Sequence, residues 1–196
     1  MPNYTHEAPH TWCHKQLFRW HIDGQLSAAK VLDVMVTASP CVVARNPPYV
    51  DNQKEPDTAV TCLGSPTLHE PMVVIEVGFS EPYVSLVEDV KLWLEGVRVH
   101  TRKVILVKFF RRRLGAAGII ELWGRNSAGS AYMIWSNRIS LIHGPPERPI
   151  YLPKDDLSNG AVDPESRNDR LEFHIPSLRS IITKMGLNRV GLTPLP

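Results

Sequence analysis

The sequence has 196 residues, 43% hydrophobic and 21% charged, with a net charge of +2. That is enough chain for one domain with a real core and short for two, and the composition is that of an ordinary globular protein. The charge is too small to imply an acidic partner by itself, and Cys13, Cys41 and Cys62 are too scattered for a disulfide framework, which points to a reducing intracellular compartment, cytoplasm or nucleus.

The first ten residues lack the layout of a signal peptide and read as a polar, loose terminus. No apolar run approaches the length of a membrane span, so no membrane partner is expected. Helical signals dominate from Thr11 to about Thr37, with Asp23-Gly24 as a break. Ala28, Val31, Leu32 and Met35 are spaced for a second helix over 27–36. Cys41–Ala44 reads as a short strand and Arg45–Glu55 as a loop. Pro56-Asp57 opens a strand ending at Cys62, since proline is tolerated at a strand's first residue.

Met72–Val77 is the strongest strand signal. Gly78–Glu81 is a turn, and Pro82 suits the start of a helix, with Ser80 or Glu81 as cap. Tyr83, Leu86, Val87, Val90 and Leu94 share one face of that helix. Strands follow at 104–110, 118–124 and 131–142, the last two joined by a turn at Asn126–Gly129. Residues 144–170 are polar and proline-rich and read as a long loop or insertion. Leu171–Ile175 is a strand, and Pro176 opens a final helix that ends near Met185. Residues 1–26 thus form a partly helical N-terminal segment, 27–186 the domain and 187–196 a tail. The expected fold class is α+β (α/β), a mixed sheet flanked by helices in one domain.

One residue in this layout is out of place. Glu76 lies inside an apolar strand, where an uncompensated carboxylate is costly. In the pleat, Val74, Glu76 and Gly78 face one way and Val73, Ile75 and Val77 the other. Asp57 opens the neighbouring strand, so the two acids can converge. Two carboxylates with water suit a hard cation, Mg²⁺ or Mn²⁺, and such a cation suits phosphodiester hydrolysis. The plainer roles are pairing of Glu76 with a structural arginine and turn chemistry for Asp57.

From Arg98 to Arg113 there are seven basic residues (Arg98, Arg102, Lys103, Lys108, Arg111, Arg112, Arg113) and no acid, with His100 an added contributor. Such a run suits phosphate contact without sequence preference, or else a solubilising loop or nuclear-import patch. His6, His10 and His14 recur every four residues beside Cys13. Pro9 interrupts them and no second pair at zinc spacing lies nearby, so a structural zinc site is not expected. The five tryptophans read as core rather than stacking platforms.

Pro56-Asp57, a gap of about twenty residues and then an apolar strand with Glu76-Val77-Gly78 resemble the PD-(D/E)XK nuclease superfamily. The string VVIEVGFSE, the following helix with Trp93-Leu94, the strand VILVKF and the C-terminal IPSLRSII resemble a group of fungal proteins similar in turn to the bacterial Uma2-type branch. The resemblance covers roughly Ala28–Phe110 well and the rest loosely. It implies a restriction-endonuclease-like fold, Asp57 and Glu76 as metal ligands, and DNA as substrate, with a homodimer also in view. It also implies a lysine two residues after the glutamate, where this chain has Gly78. Either Lys91 or Lys108 supplies that charge, with Ser80 and Glu81 completing the site, or catalysis has been lost. In the latter case the chain is an inactive nuclease-fold protein that binds nucleic acid or a protein.

Overall fold

The computed structural model describes residues 4–38, 40–63, 70–97, 100–112, 115–140, 148–157 and 169–185. Helix α1 (Tyr4–Ile22) presents Ala8, Trp12, Cys13, Gln16, Leu17 and Trp20 as one buried stripe, the spacing expected of a helix lying on a core. It starts earlier than its polar sequence suggests and runs through Pro9. It ends where Gly24 takes a φ of 71°. Ser27 caps α2 (Ala28–Asp33) by accepting from the Lys30 amide at 3.2 Å.

The second helix stops at Asp33, short of the expected Val36, and the chain becomes strand β1 (Val34–Thr37). The alternating β-branched Val34 and Val36 favour extension. The decisive force is tertiary, because β1 pairs antiparallel with β4 (Thr58–Cys62), Val34 opposite Cys62 and Thr37 opposite Ala59. Between them, β2 (Val42–Val43) and β3 (Gln53–Lys54) form a separate two-stranded ribbon, so the expected 45–55 loop contains a strand.

Strand β4 pairs antiparallel with β5 (Val73–Gly78), Thr58 opposite Ile75. Helix α3 (Tyr83–Lys91) then continues into a π-turn (Leu92–Gly96) and crosses over to β6 (Lys103–Arg112), parallel to β5. Pro82 is the cap of α3 rather than its first helical residue, and no side chain caps it. Strands β7 (Gly115–Arg125) and β8 (Ala131–Ser140) complete an antiparallel hairpin. Its turn is the expected one: Asn126 Oδ1 accepts from the amides of Ala128 and Ser130, each at 3.0 Å, and Gly129 has a φ of 84°. The result is a mixed α+β single-domain fold with a six-stranded sheet in the order β1-β4-β5-β6-β7-β8 and four α-helices among the described residues.

Within the expected 144–170 loop, Ile150–Pro153 forms β9 and Lys154–Leu157 a 3₁₀ turn. β9 pairs with β10 (Arg170–Phe173), which leads into α4 (Ile175–Met185). Ile150 and Leu152 are buried, two alternating apolar residues too few to register as a period.

The pleat divides the sheet as its sequence alternation requires. Val73, Ile75, Val77, Ile105, Val107 and Phe109 share a core with α1, α4 and the β9–β10 ribbon. Trp12 and Trp20 donate to the carbonyls of His174 and Glu172 at 3.0 and 2.7 Å and pack on Phe173. Val74, Val104 and Leu106 share the other core with Leu86, Val90 and Trp93 under α3 and the π-turn. This second face carries the charges.

Candidate functional site

Glu76 projects from β5 into the α3 side of the sheet and is 3% exposed. The π-turn places Trp93 against it, and the indole Nε1 donates to Glu76 Oε1 at 2.5 Å. Asp57, just ahead of β4, accepts from the Val77 amide through Oδ2 at 2.8 Å. That bond fixes Asp57 beside the residue that follows Glu76, at the C-terminal end of β5.

The cation at this site is Lys54, which sequence reasoning missed. Its Nζ lies 2.7 Å from Asp89 Oδ2 on α3. Burial pulls the ammonium down, but the charges of Glu76, Asp89 and Asp57 outweigh it and hold Lys54 above the ordinary lysine value. The ribbon that carries Lys54 is pinned by the π-turn. The Gly96 carbonyl accepts from the backbone amides of Arg45 and Asn46 and from Asn46 Nδ2 at 3.0, 3.1 and 2.9 Å. A Cβ at Gly96 would meet those of Tyr49 at 2.8 Å and Ala44 at 3.1 Å, so glycine there permits the close approach. The one signal in the sequence was proximity: Lys54 stands three residues before Asp57.

Burial pushes the Glu76 carboxyl up to about 8; the Asp57 and Asp89 charges add to the rise, while Lys54 and the Trp93 bond oppose it. Glu76 therefore holds a proton at neutral pH, and any cation bound there would have to displace it. Among the described residues no group of three or more His, Cys, Asp or Glu is arranged to hold a metal. Asp57 and Glu76 are a two-carboxylate donor set, which fits a hard cation such as Mg²⁺ that keeps several waters.

The other expected residues lie elsewhere. A side chain at Gly78 would overlap Leu86 of α3, so the superfamily's lysine position is filled from the helix. Lys91 pairs with Glu88 at 2.7 Å on the outer side of α3. Lys108, opposite Gly78 and 5% exposed, donates to the carbonyls of Phe79 and Glu81 at 2.8 and 2.6 Å. It holds the β5–α3 turn. Ser80 and Glu81 are exposed on that turn.

The basic run divides between the two ends of the ten-residue β6, about 30 Å apart at ordinary strand rise. At its start, Arg102 pairs with Asp155 at 3.1 Å and Lys103 with Asp156 at 2.9 Å, while His100 meets Glu70 at 3.1 Å. The 3₁₀ turn supplies acids that the local sequence lacks. Arg111 and Arg112 extend β6 past the Gly78 register, at the end where Asp57 lies. Arg98 and Arg113 fall outside the described residues.

A second buried carboxylate also escaped the sequence. Glu121 on β7 is 3% exposed and shares a row with Leu106 and Glu76. The Tyr83 hydroxyl contacts both its oxygens at 3.0 and 3.1 Å, and Trp123 Nε1 donates at 2.8 Å. No family model, curated protein or solved structure matches this chain.

Proposed function

We propose that the chain is a restriction-endonuclease-like domain of the PD-(D/E)XK kind, of the Uma2-like fungal type, that hydrolyses DNA phosphodiester bonds with Mg²⁺ or Mn²⁺. The observation that carries this reading is the buried Glu76 beside the Val77 amide that Asp57 caps, with Lys54, held by Asp89, close enough for its charge to act on both acids. Acids on adjacent strands, a crossover helix and a parallel strand follow the order that the resemblance implies. Arg111 and Arg112 extend β6 at the same end, where phosphate contact is useful.

In this reading Asp57 and Glu76 would hold the cation, which would supply an ionised water and offset charge on the phosphate. Glu76 would bind it as the carboxylate, without its proton. Lys54, replacing the lysine absent at 78, stabilises negative charge at the scissile phosphate. Lys91 and Lys108 have no part in the chemistry.

A second reading has its own observation: Glu76 is sealed beneath a fully buried Trp93, and Lys54 is already paired with Asp89. On that reading the chain is an inactive nuclease-fold module that binds nucleic acid or a protein.

The test is nicking of supercoiled plasmid with Mg²⁺ or Mn²⁺. Wild type is expected to cleave, Glu76→Ala to be inactive, and Lys54→Met to be slowed by about 10²–10³, the cost of losing one preorganised electrostatic group. Equal cleavage by wild type and Glu76→Ala overturns the nuclease reading. Absence of cleavage with retained DNA binding selects the second.

A further inference from the structure

The histidines of α1 lie on the other face of the sheet from the acids. Pro9 argued from sequence against their sharing a helix face, yet α1 is continuous from Tyr4 to Ile22 with Pro9 inside it. His10 and His14 are therefore neighbours one turn apart. Their Nε2 atoms approach to 3.2 Å, with ring centroids 4.8 Å apart and planes inclined by 76°. His10 Nδ1 is buried and has no hydrogen-bond partner among the described residues. Nε2 is thus the ring nitrogen it offers to His14, whose own side chain is exposed.

Two imidazole nitrogens bound to tetrahedral zinc at about 2.0–2.1 Å stand about 3.3–3.4 Å apart. The histidine pair is close to that spacing before any ion is added. Imidazole selects borderline ions such as Zn²⁺, Ni²⁺ and Cu²⁺ over Mg²⁺, which prefers oxygen. Since no third His, Cys, Asp or Glu among the described residues completes the set, water or an added ligand takes the remaining positions.

We propose that His10 and His14 form a two-histidine clip on α1 that binds a divalent transition-metal ion through both Nε2 atoms. This site is independent of Asp57 and Glu76 and of the nuclease reading.

The untagged full chain is titrated with Zn²⁺ by calorimetry and with Cu²⁺ by electron paramagnetic resonance. Saturable binding is expected, with nitrogen couplings from two imidazoles that an all-oxygen carboxylate site cannot give. His10→Ala and His14→Ala should each weaken it at least about tenfold, since loss of even an outer-shell partner costs 10–100-fold. Glu76→Ala should leave it intact. His14 is exposed, so His14→Ala carries the test even where His10→Ala folds poorly. Absence of saturable binding, or nitrogen couplings unchanged by His14→Ala, overturns the proposal and leaves an imidazole–imidazole hydrogen bond.

Discussion

Glu76 and Glu121 are both 3% exposed, both sit inside apolar strands and both accept from a tryptophan indole. Leu106 alone separates them along one row of the sheet. Glu121 is further bonded to the Tyr83 hydroxyl, and no cation among the described residues pairs with it. Glu76 has the indole and, around it, the charges of Lys54, Asp57 and Asp89. Burial alone therefore does not mark a functional acid. Donors satisfy Glu121 as a structural carboxylate, whereas burial, with the Asp57 and Asp89 charges adding to it, leaves Glu76 holding a proton.

The largest expected break in the comparison is in pH dependence. The folded value of Glu76 lies near 8, above the ordinary glutamate value of 4.5, so the folded state holds the extra proton between those values. Stability from this group is full below about pH 4.5 and falls as pH rises toward 8. Glu76→Gln mimics the protonated acid and removes the fall. Unfolding free energies from urea titration in a chelator should match wild type near pH 4.5 and exceed it by a few kcal/mol at pH 9. A constant difference across that range would contradict the account. Adding Mg²⁺ at high pH should restore wild type, as the cation takes the proton's place.

The next effect sharpens the other half. Tyr83→Phe removes the hydroxyl donor from Glu121 and should lower stability by about 1–3 kcal/mol, the range for a buried acceptor left short. Plasmid cleavage should be unchanged. Denaturant unfolding and the nicking assay check both parts. Smallest is Lys91→Ala, which removes an exposed pair with Glu88. It should leave the urea midpoint indistinguishable from wild type and cleavage intact. A large loss of cleavage would return Lys91 to the chemistry.

What could be read in advance depended on repetition. The β-branched apolar run of Val73–Val77, the Asn126–Gly129 turn and the Pro176 helix start are local signals that a fold seldom overrides. Val34–Val36 fits both a helix face and a strand, and only pairing with β4 decides. Lys54 lies in a two-residue strand within a proline-bearing loop, too short for any period. The acids that pair with Arg102 and Lys103 come from more than fifty residues away. Glu121 is a different miss, since Ile119-Ile120-Glu121-Leu122 shows the same acid-in-apolar pattern that singled out Glu76.

The ribbon that carries Lys54 lies outside the six-stranded sheet and is tied to the rest of the fold by the Gly96 carbonyl, the Lys54–Asp89 pair and the buried Val42 and Ala44. A two-stranded ribbon at the margin of the fold opens more readily than a strand inside the sheet. The protein can thus lose and regain its site cation in local excursions that leave Asp57, Glu76 and the sheet in place. Amides at Ala44 and Asp51, bonded within the ribbon, should exchange with deuterium well before those of β5, and their exchange rate times the comings and goings of the ammonium.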